Sequence, residues 1–121
     1  MTTTSSAERL VHGGKPVITS GISNWIATGL EPYANEPNPL CLGIEMRRHF
    51  ISVILLSHLS GDQGDTCDED HALNQEVYNS PGCGGRLVTS WERNQCARIF
   101  CITDDWGGPN AVTTVLFASE Y

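Results

Sequence analysis

Positive charge is scarce in this chain. Its 121 residues hold seven Lys and Arg against fourteen Asp and Glu, a formal net charge of −7. The shortage is uneven: residues 1–60 carry four acids and four bases, residues 61–121 ten acids and three bases. The whole excess therefore lies in the second half. That placement disfavours direct contact with DNA, RNA or an anionic membrane, whose phosphates it would repel. It suits a basic partner, a cation or simple solubility. Long apolar runs are missing as well. The most apolar stretch, "FISVILLSHL" at 50–59, is interrupted by Ser52, Ser57 and His58 and is too short to span a bilayer. The opening "MTTTSSAERLVHGGK" has no apolar signal-peptide core, so a cytoplasmic location is expected. Five cysteines, an odd number, fit that expectation better than a secreted disulfide framework. A P-loop, a dinucleotide-binding fingerprint, a nucleophile elbow and any C-x-x-C pair are absent.

What is present reads as one globular domain over 1–121, with 1–15 a flexible leader. "PVITS" (16–20) is β-like. Ile22, Trp25, Ile26 and Leu30 recur at helical spacing, and the three prolines of "EPYANEPNPL" (31–40) make an extended connector. From Leu42 to Leu59 the stripe of Ile44, Phe50, Ile51, Ile54, Leu55 and Leu59 predicts a helix stopped near Gly61, with a buried strand as the alternative. A further helix over 66–79 begins with Thr66 and Glu69 at capping-box spacing and turns Ala72, Leu73, Val77 and Tyr78 inward. The period then changes. "RLVTSWE", "RIFCITD" and "AVTTVLFA" are rich in β-branched and aromatic residues and are separated by turn residues. The expected architecture is α+β: a three-stranded antiparallel β-meander in the C-terminal half, packed against two to three helices.

The segment "SGDQGDTCDEDH" (60–71) crowds Asp62, Asp65, Asp68, Glu69 and Asp70 together without a cation. Helix initiation accounts for part of it, since carboxylates are favoured at a helix N-terminus. A divalent-cation site is the sharper reading, but the run lacks the D-x-D-x-D-G order of an EF-hand loop and its bidentate Glu. Cys67 and His71, four apart, could share a zinc ion with Cys83 and either Cys96 or Cys101, although buried cysteines are commonly inert core residues. Combinations of four histidines and five cysteines are too numerous for any one Cys–His or Ser57–His58 pair to indicate a nucleophile. Asp104 and Asp105 open a Gly-Pro turn, and Trp106 beside them is a candidate contact aromatic or a ring folded back on the sheet. Neither a cofactor nor a catalytic set is expected.

Several short motifs occur in a fixed order. They are His58 before Gly61, Asp62 and Gly64; Asp70 and Asn74; Gly85-Arg86-Leu87; Ile102-Thr103-Asp104; Thr113-Thr114; and Glu120-Tyr121. In that order they resemble an uncharacterised family of short proteins carried on bacterial plasmids and other mobile elements. The chain departs from it at Gln63, where the family tends to have Trp, at "DWGGPN" and at "FASEY". The resemblance implies a mobile-element setting and no activity. Joined to the charge placement, it points to an accessory protein that inhibits a host nucleic-acid-handling defence system of the anti-CRISPR or anti-restriction type. The partner would be a host protein with a basic surface, met by Asp62, Asp65, Asp68, Glu69, Asp70, Asp104, Asp105 and Trp106. The alternatives are a small metal-dependent hydrolase using Asp62, Asp65 and His58, and a non-catalytic plasmid-maintenance interaction protein.

Overall fold

The computed structural model describes residues 11–32, 34–36, 43–92 and 97–121. Its elements are β1 (Lys15–Ile18), α1 (Ser20–Thr28), α2 (Ile44–Leu59), α3 (Asp68–Tyr78), β2 (Leu87–Trp91), β3 (Ile99–Asp104), β4 (Val112–Phe117) and a closing 3₁₀ turn over Ala118–Glu120. The α+β class is as expected and the meander β2-β3-β4 is present. The sheet, however, has four strands in the order β1-β4-β3-β2, with β1 added parallel to β4. "PVITS" is β-like by composition, but only the fold decides which edge it joins. Residues 11–15 are also no loose leader: Gly13 is buried and Lys15 opens β1. The rest of that expected leader, 1–10, lies outside the described residues, as do residues 33 and 37–40 of the expected connector.

Local chemistry explains the helix ends. Thr19 caps α1, its hydroxyl accepting from Ile22 N, and Gly29 closes the helix in the left-handed conformation by donating to Trp25 O. The Glu120 carboxylate joins this cap by accepting from Thr19 Oγ1, Gly21 N and Phe117 N, which fastens the last turn of the chain to α1. At α3 the capping box does not form. Cys67 is the N-cap, while the Thr66 hydroxyl donates to Gln63 O and accepts from Ser90 N. A tertiary partner has taken the cap residue.

Strand alternation builds the core. In register, Trp91, Ile99 and Phe117 form one row across the meander; Thr89, Cys101 and Val115 form the next; Leu87, Thr103 and Thr113 form the third. The first two rows receive Ile22 and Trp25 of α1 and Ile51 and Ile54 of α2. Leu59, Tyr78, Leu87 and Trp106 close a second cluster at the other end. Burying each large apolar side chain contributes about 1.5–3 kcal/mol. Ile44, expected on the α2 stripe, is instead exposed. On α3 the inward residues are Asn74 and Tyr78, with Val77 half-buried, whereas Ala72 and Leu73 face solvent. That helix does not lie on the sheet as an amphipathic layer; it runs along the β2 edge.

Both edges of the sheet are managed. On β1, Lys15 N and Thr19 N turn toward β4, which leaves Pro16 and Ile18 on the outward side, and Pro16 has no N–H to offer another strand. The β2 edge is covered by residues 63–74. Asn74 Nδ2 donates to Val88 O while Asn74 Oδ1 accepts from Val88 N, so one amide side chain mimics the pairing of a neighbouring strand. Asp65 N donates to Ser90 O, Thr66 Oγ1 accepts from Ser90 N, and Asp65 Oδ2 accepts from Glu92 N. Gly64 sits with φ of 54° in bridge contact with Ser90, and a Cβ there would meet the Trp91 ring at 2.6 Å.

Asn74→Ala removes both bonds to Val88 and strands its buried backbone groups. The expected loss is about 2–4 kcal/mol, read as a lower urea midpoint with an unchanged m-value.

Candidate functional site

The acidic run divides by role. Asp62 Oδ1 accepts from Gly64 N in an Asx turn, and Asp65 is bound to the β2 edge. Asp68, Glu69 and Asp70 form the first turn of α3, all exposed, where the helix dipole favours them. Among the described residues the ion pairs are Arg86–Asp104 and Arg98–Glu92, each at 3.1 Å between half-exposed side chains. None of the five carboxylates from Asp62 to Asp70 has a cationic partner there.

Asp104 and Asp105 are not part of that surface. Asp65 meets Glu92 just beyond the end of β2 that pairs with Ile99, whereas Asp104 ends β3 at the opposite side. Six residues of strand separate the two groups by about 16 Å. Asp104 is engaged by Arg86. Asp105 adopts a φ of 56°, and its carboxylate accepts from Asn110 N, which fixes the turn. Trp106 is corrected outright as a contact residue: it is 0% exposed. Its ring packs edge-on against Tyr78 and His12, and its backbone bonds Gly85 O and Gly82 N. The apolar indole has folded back into the second core cluster.

His58 is fully buried too, and a line of threonines explains how. Trp91 Nε1 lies 2.8 Å from Thr89 Oγ1, and Thr89 Oγ1 lies 2.6 Å from His58 Nδ1. On the other side His58 Nε2 is 2.8 Å from Thr103 Oγ1, which is 2.7 Å from Thr113 Oγ1. Thr113 in turn donates to Gly13 O at 2.8 Å. The Gly13 carbonyl, which can only accept, sets the protons as far as His58 Nε2, and burial of the ring, which keeps it neutral, sets the one at Nδ1. Thr113 spends its hydrogen on Gly13, so Thr103 donates to Thr113 and accepts from His58 Nε2–H. Thr89 then donates to the bare Nδ1 and accepts from Trp91. The imidazole is neutral with its proton on Nε2. Burial holds its pKa at about 3, well below the usual 6.5. Burial likewise raises the Cys101 thiol above its ordinary range, so it stays protonated.

This arrangement removes the base from the hydrolase reading. Both ring nitrogens are occupied inside the core, and Asp62 and Asp65 are engaged by backbone amides. Among the described residues no group of three His, Cys, Asp or Glu is placed to hold a metal ion. Cys67 and Cys83 are exposed and Cys101 buried, while Cys96 lies outside the described residues. None of the described helices is long and apolar enough to cross a membrane.

Arg86, Ile102, Asp104, Thr114, Glu120 and Tyr121 come together on the sheet face turned away from α2, around a shallow groove of about 390 Å³. Arg86 lies 5.6 Å over the Tyr121 ring and donates to its hydroxyl. No family model, curated protein or solved structure matches the chain.

Thr103→Val keeps the side-chain volume but leaves His58 Nε2–H buried without an acceptor. The expected cost is about 2–4 kcal/mol. Thr114→Val, on the opposite face of the neighbouring strand, stays within about 0.5 kcal/mol. Paired urea titrations of the two variants check this.

Proposed function

We propose that this chain is a non-catalytic accessory protein of a mobile element that binds a basic host protein through the outer face of α3 and the loop before it. The bound protein belongs to a nucleic-acid-handling defence system of the anti-CRISPR or anti-restriction type, and occupation of its basic channel inhibits it. The observation that carries this reading is a set of exposed carboxylates with no cationic partner among the described residues, Asp68, Glu69 and Asp70 on the helix start and Asp62 in the loop before it. Glu76 extends the same charge along α3, and Leu73, 61% exposed, offers an apolar centre among the acids. The helix contains no Lys or Arg to neutralise them. Fields from such a surface accelerate encounter with a basic groove and reject phosphate. The mobile-element setting rests on the resemblance in motif order, and a cytoplasmic site of action goes with it.

Asp65 contributes charge while it anchors the β2 edge, and Asp104 and Asp105 lie outside the surface. The plasmid-maintenance alternative uses an apolar exposed face instead, with the acids only solubilising the chain and capping the helix. The hydrolase alternative loses support with His58 sealed in the core.

The test is inhibition of target cleavage by a defence effector, with binding followed across a salt series. Neutralising Asp68, Glu69 and Asp70 together as Asn, Gln and Asn is expected to weaken binding by about 30-fold, from roughly 0.5–1 kcal/mol per charge. The parent's affinity should fall steeply with salt. Equal binding by parent and triple variant overturns the reading.

A further inference from the structure

His58 stands one residue from the end of α2, and more than its ring is anchored there. Its carbonyl accepts the Tyr78 hydroxyl and the Gly61 amide, and Asp62 N returns to Ser57 O. The chain leaving this turn is the cover of the β2 edge, through Asp65, Thr66 and then Asn74. Beyond it, α3 buries only Asn74 and Tyr78. The cover is therefore anchored by the imidazole before it and by an amide and a phenol after it, with the bonds of Asp65 and Thr66 to Ser90 and Glu92 between them.

Among the described residues a second proton on that imidazole meets no counter-charge. β2 presents Thr89 to the ring, β3 presents Thr103, and α3 places Tyr78 edge-on at 6.3 Å. β4 reaches it through Thr113, and the Cys101 thiol of β3 stays neutral. On its own helix Arg47, Arg48 and His49 lie more than two turns back, and beyond the helix Asp62 and Asp65 are bound to Gly64 N and Glu92 N. The new proton would also arrive at Nδ1, where Thr89 already donates. That hydroxyl would have to turn to Cys101 O at 3.4 Å, a weak contact. Since His58 sits in a terminal turn, unwinding that turn carries the ring to water while the β3–β4 core stays closed.

We propose that His58 is an acid-sensitive pin, whose protonation withdraws it from the sheet and frees the 60–74 cover, exposing the backbone of Val88, Ser90 and Glu92. The sign follows from the group's depressed pKa. The closed form has its full stability above the ordinary value of 6.5 and loses about tenfold per pH unit as the pH falls toward 3.

Amide hydrogen exchange of the full chain at pH 7 and pH 5, corrected for intrinsic rates, tests this. Protection of Val88, Ser90 and Glu92 should fall by about 25-fold at pH 5, with Cys101 and Val115 unchanged. His58→Gln, which keeps a donor and an acceptor but carries no charge, should abolish the fall. Asp65→Asn, at the carboxylate that accepts from Glu92 N, and His71→Gln, at the imidazole within the cover, should keep it. In the unmodified protein, nitrogen NMR should find His58 neutral with its proton on Nε2 at pH 7, a readout that needs no variant. Equal loss of protection at Cys101 and Val115, a fall that survives His58→Gln, or a proton on Nδ1 overturns the proposal.

Discussion

Five hydrogen bonds running one way, from the Trp91 indole through Thr89, His58, Thr103 and Thr113 to the Gly13 carbonyl, cross the whole protein. They join three strands, the end of α2 and the segment that leads into β1. Each member is buried, so each must find a partner inside or carry the desolvation cost of an unmet polar group. Because the Gly13 carbonyl can only accept and the buried ring stays neutral, one proton arrangement satisfies all of them. A directed chain of this kind specifies register more sharply than apolar packing can. Sliding β4 by one residue would carry Thr113 to the other face and strand Thr103. Gly13 is required where the chain ends, because a Cβ there would come within 2.1 Å of the Leu59 side chain.

The acidic run has its structural explanation at the β2 edge. Asp65, Thr66 and Asn74 satisfy outward-facing backbone groups that would otherwise template another strand. Side chains do this work where a fifth strand is absent, and they leave the next acids along, Asp68 to Asp70, at a dipole-favoured helix start facing water. Edge protection and surface charge thus come from one stretch of chain. The same economy holds at the other end, where the Glu120 carboxylate is both the cap of α1 and the tie of the final turn.

For function, the consequence is a division between sealed and open chemistry. The groups most capable of catalysis, His58 and Cys101, lie under the helices with their reactive forms suppressed. The groups left to solvent include the carboxylates of Asp68, Glu69 and Asp70, the Cys67 and Cys83 thiols and the His71 imidazole.

Sequence alone determined the α+β class, the positions of three helices, the three meander strands and the charge imbalance, because each rests on local periodicity or on counting. It also places Asp68 at a helix start for the correct reason, whereas Asp65, expected with it, binds the β2 edge and the capping box of Thr66 and Glu69 does not form. Its errors share one cause. Thr66 was read as a cap, Leu73 as core and Trp106 as surface from their immediate neighbours. Each was reassigned by a residue distant in sequence: Ser90 drew Thr66, the β2 edge drew Asn74 inward and turned Leu73 out, and Tyr78 and His12 enclosed Trp106. His58 stands out in the sequence as a motif residue and a candidate hydrolase group, but not as a buried link between strands. Its partners stand 31 and 45 residues away on strands whose threonines look like ordinary β-formers. Which face a threonine turns to, and which edge β1 joins, are decided by strand register. Register is a property of the assembled sheet, because its energy lies in contacts between segments that no local window contains.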